Sequence, residues 1–382
     1  MNFLDFPPPA AGTSFPELRQ EVRGFLRDTL GADYGPRKSA RSWMGFDADF
    51  SAQLGAAGYL GMTFPKEYGG QGRSALERFV VVEELLAAGA PVAAHWIADR
   101  QSGPLLLQHG TEEMRRDILP RIARGQCFFC IGMSEANAGS DLAASRTRAV
   151  PVDGGYLVNG AKIWTTYAHH AHYMILFCKT GSSDDRHGGM SQFLVDLKSP
   201  GIRIGPILDL QGEHHLNEVS FSDVFLPKAA LIGAEGQGWK QVMGELAFER
   251  SGPDRFLSSF ALLRLLAGHL GQAPDQASRR ALGRIAAHLI TLRQMSRSVA
   301  GALARGDNPT LQAAIVKDLG AVLEQDIPEI ARSLTALEGQ PDGSDSLASV
   351  FAYTLQSAPS FSLRGGTREI LRGIIARGLD LR

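Results

Sequence analysis

Residues 130–141 read CIGMSEANAGSD and residues 159–166 read NGAKIWTT. In the first run Ser134, Gly139, Ser140 and Asp141 crowd onto backbone that glycine and alanine keep thin, as close approach to a phosphate or a flat ring requires. In the second run Asn159-Gly160 has the composition of a tight hairpin turn. Two-residue alternation in the strand after it predicts Lys162, Trp164 and Thr166 on one face. A tryptophan and a threonine so placed offer a stacking surface and a hydrogen-bond donor.

Around this stretch, from Gln126 to about Ala234, the chain alternates in short runs: GYLVNG, YMILFCK, SQFLVDL, GIRIGPIL and EVSFSDVFLP, parted by glycine, proline, aspartate and serine. That is the pattern of a compact β domain. GSSDDRHGG at 181–189 is polar and glycine-rich and is expected as an exposed hairpin loop.

On either side the period is helical. Residues 1–13 have the composition of a loose arm, and Ser14–Glu17 has the spacing of a capping box before Leu18, Val22, Phe25 and Leu26. Ser74 and Glu77 repeat that signal before FVVVEELLAAG, which is apolar on most sides and is expected as a buried helix. Beyond GAEGQGW a long helix is predicted from about Trp239, bent at Pro253, with others after Pro274, from Asn308-Pro309, after GQPDGSD, and over the final GGTREILRGIIARGL. Helices, β domain, helices is an α+β architecture.

With 382 residues the chain can bury a large core, and a formal net charge of -1 gives no field for nucleic acid and no cationic face for a membrane. No apolar run reaches the ~18 residues of a membrane span, and MNFLDFPPPAAG lacks the segments of a signal peptide, so the cytoplasm is the expected compartment. Cys127, Cys130 and Cys178 make no disulfide framework, and CFFC in an apolar strand-like run points to packing. His169, His170, His172, His214 and His215 lack carboxylate or cysteine partners nearby in sequence. They are expected as surface or loop residues, with no metal. No G-x-G-x-x-G follows a strand, which argues against a nicotinamide-binding domain.

SEANAGSDLAA at 134–144, KIWTT at 162–166 and GGTREILRGIIAR at 365–377 resemble, in order and separation, three fingerprints of the acyl-CoA dehydrogenases. The resemblance covers nearly the whole chain. It implies an α-helical N-terminal domain (1–125), a middle β-barrel-like domain (126–235) and a C-terminal four-helix-bundle domain (236–382) that makes most subunit contacts. It implies FAD as cofactor, with Met133 and Ser134 facing the flavin's pyrimidine side, Ser140 meeting a phosphate, Trp164 covering one ring face and Thr166 bonding the reactive ring nitrogen. Thr165 and Thr367 fall among the matching cofactor positions, and Ser140 and Arg250 among the substrate positions. GMTFPKEYGGQG at 61–72 also resembles a family segment, to which no chemistry is assigned.

Desaturating an acyl-CoA thioester requires a carboxylate to take the α proton, donors for the thioester oxygen, and a flavin to accept the β hydrogen as hydride. Medium-chain enzymes of the family place the carboxylate directly before a Gly-Thr pair. Here that pair is Gly366-Thr367, and Gly365 precedes it. Long-chain and isovaleryl enzymes place it instead in a Glu-Arg dipeptide on the first long C-terminal helix, which this chain matches with Glu249-Arg250 in LAFERSG. The resemblance thus assigns the base to Glu249 and leaves the Gly365 backbone N–H to the thioester oxygen.

The family's Arg-x-x-Phe-Gly element has no counterpart between Leu263 and Gln276, and LEGQPDG replaces a Gly-Gly-x-Gly turn near Leu337. Both departures concern the distal end of FAD across a subunit interface. They leave a homo-oligomer and an α2β2 assembly open. An electron-transferring flavoprotein is the implied acceptor. The alternatives are a catalytically silent partner subunit and a flavin monooxygenase of the same fold, against which Glu249 counts.

Overall fold

The computed structural model describes residues 5–10, 12–181, 185, 187–335, 337 and 344–381, with the backbone alone at 245–249. Among the described residues seven α-helices come first: α1 (Pro16–Leu30), α2 (Pro36–Ala40), α3 (Ala48–Ala56), α4 (Ala75–Ala88), α5 (Ala93–Ile97), α6 (Gly103–His109) and α7 (Glu112–Ala123). Eight strands follow among the described residues: β1 (Phe129–Gly132), β2 (Arg148–Val152), β3 (Gly155–Thr166), β4 (Tyr173–Lys179), β5 (Met190–Asp196), β6 (Ile202–Leu208), β7 (His214–Pro227) and β8 (Leu231–Ile232). Then come α8 (Gly238–Glu249), α9 (Phe260–Leu270), α10 (Gln276–Ala304), α11 (Thr310–Leu334), α12 (Leu347–Phe361) and α13 (Arg368–Gly378). The expected α+β order is the one observed.

The chain forms two compact units: residues 47–72 with 94–245, and residues 1–46, 73–93 and 246–382. In the first, the strands lie in the order β6-β7-β3-β2-β4-β5-β8, with β1 parallel to β4. Alternate residues of these strands, among them Val158, Met174, Leu176, Cys178, Phe193 and Val219, close one core. Phe129 and Ile175 turn the other way, against Leu106 and Ile118 of the helices. In the second unit α9 to α12 pack around Leu262, Leu266, Ile285, Leu323, Ile327 and Phe351. There Arg19 of α1 and Arg293 of α10 converge on Glu83 of α4 at 2.7 and 2.5 Å, which keeps a carboxylate paired inside a helix packed on most sides.

Ser74 and Glu77 form the expected capping box. Ser14 does not cap α1. Phe15 holds that position, with Pro16 opening the helix, and its ring packs with Leu76, Phe79 and Ala300, so the capping place goes to an aromatic. Asn159-Gly160 is not a hairpin turn either. It sits within β3 at a register shift against β7, where the Asn159 amide exchanges hydrogen bonds of 2.9 and 3.0 Å with Asp223 in place of the ladder. The hairpin is made upstream by Asp153-Gly154, with Val152 opposite Gly155 and Gly154 at φ 78°.

Pro253 does not bend a long helix. Helix α8 has already ended at Glu249, and Pro253–Arg255 forms one 3-10 turn before α9. At α11 the cap position is Pro309 rather than Asn308, whose side chain accepts from the Thr310 hydroxyl at 2.7 Å. Strands β4 and β5 pair out to Lys179 and Met190, but residues 182–184 and 186 of the loop between them lie outside the described residues, as do 338–343 of LEGQPDG.

Candidate active site

Residues 133–135, just beyond β1, meet strand β3 through a lysine. Lys162 of β3 is fully buried, and its ammonium donates to the Met133 carbonyl at 2.9 Å and to Glu135 Oε1 at 2.8 Å. Glu135 also accepts the backbone N–H groups of Arg146 (2.7 Å) and Thr147 (3.0 Å), and the Ile163 N–H donates to the Ser134 carbonyl at 2.9 Å. Residues 133–135 are thereby pinned along the edge of β3. Burial opposes the charge on Glu135, but Lys162 and the two N–H groups hold its carboxyl below the usual range; burial also lowers the Lys162 ammonium against the pull of Glu135. Gly132 is needed beside this lysine, because a Cβ there would lie 2.5 Å from Met174 Sδ.

One turn of the strand further, the alternation fails. Lys162 pairs with Val219 but Thr165 with Asn217, so Ile163 and Trp164 stand opposite Glu218 alone in a β-bulge. Trp164 takes φ 62°, a left-handed conformation strained for a side chain this large, and its ring is 57% exposed. The predicted common face of Lys162, Trp164 and Thr166 is therefore wrong: Lys162 points into the core, Trp164 out of it, and Thr166 is half-buried. Since the Tyr167 N–H donates to the His215 carbonyl at 2.8 Å, ladder alternation turns the Thr166 N–H off the opposite edge of β3, where Ser134 lies.

In the other unit, α8 ends at Glu249, and Arg250 follows it, almost fully buried, with Nε 2.9 Å from the Gly365 carbonyl oxygen. Gly365 and Gly366 have φ 74° and 102°. A Cβ on the first would lie 3.0 Å from the Arg255 guanidinium, and one on the second 3.2 Å from that of Arg250. Neighbouring Arg364 pairs with Glu324 at 2.9 Å and lies over the Trp43 ring, and Thr367 caps α13 by accepting from the Ile370 N–H. The Glu249 side chain lies outside the described residues.

Models of the acyl-CoA dehydrogenase N-terminal, middle and C-terminal domains match residues 15–126, 130–224 and 236–379. Acyl-CoA dehydrogenase IpdE1 of Mycobacterium tuberculosis is 32% identical over 378 residues, 94% of this chain and 96% of that protein. This chain belongs to the acyl-CoA dehydrogenase family. Acyl-CoA dehydrogenase FadE29 of the same organism is 34% identical over 336 residues, 85% of either chain. Among solved structures, the Tcur3481-Tcur3483 steroid ACAD superposes with a TM-score of 0.85 at 30% identity over 99% of both chains. The ChsE4-ChsE5 complex from Mycobacterium tuberculosis gives 0.83 at 29% identity over 96% of this chain and 97% of that one.

As an acyl-CoA dehydrogenase this protein is an oxidoreductase, and its cofactor is FAD. The β-unit fits a flat ring. Trp164 presents an exposed face, a Cβ built at Gly139 meets nothing within 4 Å, and the buried Thr165 hydroxyl has no partner among the described residues. Ser140 is exposed on the same loop, and Met133 and Ser134 are half-buried beside β3.

The histidines differ from the expectation in part. His169 and His214 stack at 3.8 Å, half-buried at the ends of β3 and β7, while among the described residues no group of three or more potential ligands can hold a metal. The cysteines are buried, and burial raises all three thiols, Cys127 to about 11 and Cys178 to about 12, which keeps them protonated packing groups. Sequence reading missed what Glu135 and Asn217 do. The one signal for Glu135 was a charged pair, with Lys162, placed in two otherwise small or apolar runs.

Proposed function

We propose that this acyl-CoA dehydrogenase introduces an α,β double bond into an acyl-CoA thioester, with Glu249 as the base. FAD, when bound, supplies the acceptor for the β hydrogen, which leaves as hydride. Met133, Ser134, Ser140, Trp164, Thr165, Thr166 and Thr367 hold it. Glu249 takes the α proton, and the Gly365 N–H donates to the thioester oxygen as negative charge develops there. Ser140 and Arg250 serve the substrate.

The observation that supports this most is the bond from Arg250 to the Gly365 carbonyl. It ties the residue after the proposed base to the proposed oxyanion donor. Electrons then pass to an electron-transferring flavoprotein, and the three domains divide at 125 and 235.

The assembly we propose is an oligomer through the C-terminal helices, in the cytoplasm, either of one chain or as α2β2. The similarity to a chain of the ChsE4-ChsE5 complex favours the second. Among the described residues no helix is long and apolar enough to cross a membrane. A bulky polycyclic acyl group is the first substrate class to try, because a neighbour at 30% identity is a steroid ACAD.

Acyl-CoA thioesters with straight, branched and steroid side chains, assayed with an artificial electron acceptor, test the reading. Turnover of at least one is expected, with a product two hydrogens lighter. A chain that purifies with less than one FAD and regains full occupancy on co-expression with a homologous partner supports α2β2. No turnover of any thioester by the FAD-replete protein overturns the assignment.

A further inference from the structure

The bulge at Ile163 and Trp164 gives up ladder regularity at the segment on which the flavin reading rests, and a side chain replaces what is lost. Asn217 is fully buried, and its Nδ2 donates to the Thr165 carbonyl at 3.0 Å. A carbonyl oxygen only accepts, so this contact fixes which way the amide faces. Its Oδ1 is then the atom 3.0 Å from His169 Nδ1 and 2.8 Å from His214 Nε2. An amide oxygen also only accepts, so both imidazole nitrogens carry protons there. The two rings stack 3.8 Å apart at 16°, and Tyr167 lies 5.7 Å from His169. The amide is thus held on one side by a backbone carbonyl and on the other by two donors.

We propose that Asn217, oriented by His169 and His214, is a positioning residue that fixes the Thr165–Thr166 peptide and so presents Trp164 and the Thr166 N–H to the flavin. The inference rests on the reading of Trp164 and Thr166 as flavin contacts. Asn217 touches the strand and not the reacting atoms. Its work is to hold a peptide plane where a bulge leaves the ladder short of one regular pair.

The experiment compares the full-length wild-type protein with Asn217→Asp, His214→Gln, His214→Leu and Trp164→Ala. It measures FAD affinity of the apo-protein by fluorescence titration and hydrogen exchange of the 163–168 segment. Asn217→Asp still accepts from both histidines but cannot donate to Thr165. It is expected to weaken FAD binding at least tenfold and to speed exchange in that segment, with the exchange of the α9–α12 helices unchanged. His214→Gln retains an N–H donor and is expected to stay within about threefold of wild type, whereas His214→Leu follows Asn217→Asp. Unchanged affinity and exchange in Asn217→Asp overturn the proposal. Should that variant fail to fold, equal affinities for His214→Gln and His214→Leu overturn it. Unchanged FAD affinity in Trp164→Ala instead sinks the flavin site itself, a failure distinguishable from that of Asn217.

Discussion

Arg250 Nε donates to the carbonyl oxygen of Gly365 at 2.9 Å, across 115 positions of chain. The bond holds the Gly365–Gly366 peptide, between two residues whose φ of 74° and 102° only glycine adopts easily, so the guanidinium pins this turn in place. Arg250→Lys keeps the charge but not the planar donor. It should lower kcat by about 10²-fold, the scale of a misplacement of about 1 Å. FAD content should stay at the wild-type level. Steady-state kinetics beside the absorbance ratio of bound flavin to protein check this, and an unchanged kcat removes Arg250 from the machinery.

Glu249→Gln keeps the shape of the proposed base without its basicity. Turnover of the best thioester should fall by ~10²–10⁴-fold while FAD stays bound. If desaturation persists at the wild-type rate, the base is another residue.

Returning a carboxylate to the medium-chain position is not expected to rescue that variant. A side chain at Gly365 is strained at φ 74°, and its Cβ starts 3.0 Å from the Arg255 guanidinium, which would take the carboxylate as an ion pair. Glu249→Gln with Gly365→Glu should therefore be no more active than Glu249→Gln alone, and less heat-stable. Recovery of even a tenth of wild-type turnover would contradict this.

The left-handed Trp164 makes stability and cofactor retention separable. Trp164→Gly relieves a strained backbone worth about 1 kcal/mol and removes an exposed ring, so the apo-protein should melt no lower than wild type. The same change removes the stacking face, and FAD should dissociate more readily. Melting of apo- and FAD-loaded protein by calorimetry reads both. A variant that loses stability without FAD and keeps its FAD affinity would reverse the assignment.

Glu135 carries an acid-side dependence. Its folded-state value lies below the ordinary 4.5, so its contribution is fully present above about pH 4.5 and is lost as pH falls through that lower value. Glu135→Gln should flatten this part of the acid limb of Tm. At neutral pH it should cost about 3 kcal/mol, because the buried Lys162 ammonium then has no charge partner. Parallel melting curves from pH 3 to 7 decide it; equal Tm at pH 7 would mean that the pair does not stabilise the loop.

The periodicity of the chain determined most of its architecture. Alternating runs became β3 to β7, the Ser74–Glu77 signal became the start of α4, and the family fingerprints were legible because they are contiguous in sequence. Tertiary structure decided what those residues do. A bulge is one extra residue against a partner strand that local sequence does not specify, and it moved Trp164 to the opposite side from Lys162. The Glu135–Lys162 pair, the Arg250–Gly365 bond and the amide of Asn217 join positions 27, 115 and 52 apart. Hydrogen bonds of that kind form only once strand pairing and helix packing have excluded water and brought a donor to its acceptor, so the sequence names the groups while the folded chain chooses their partners.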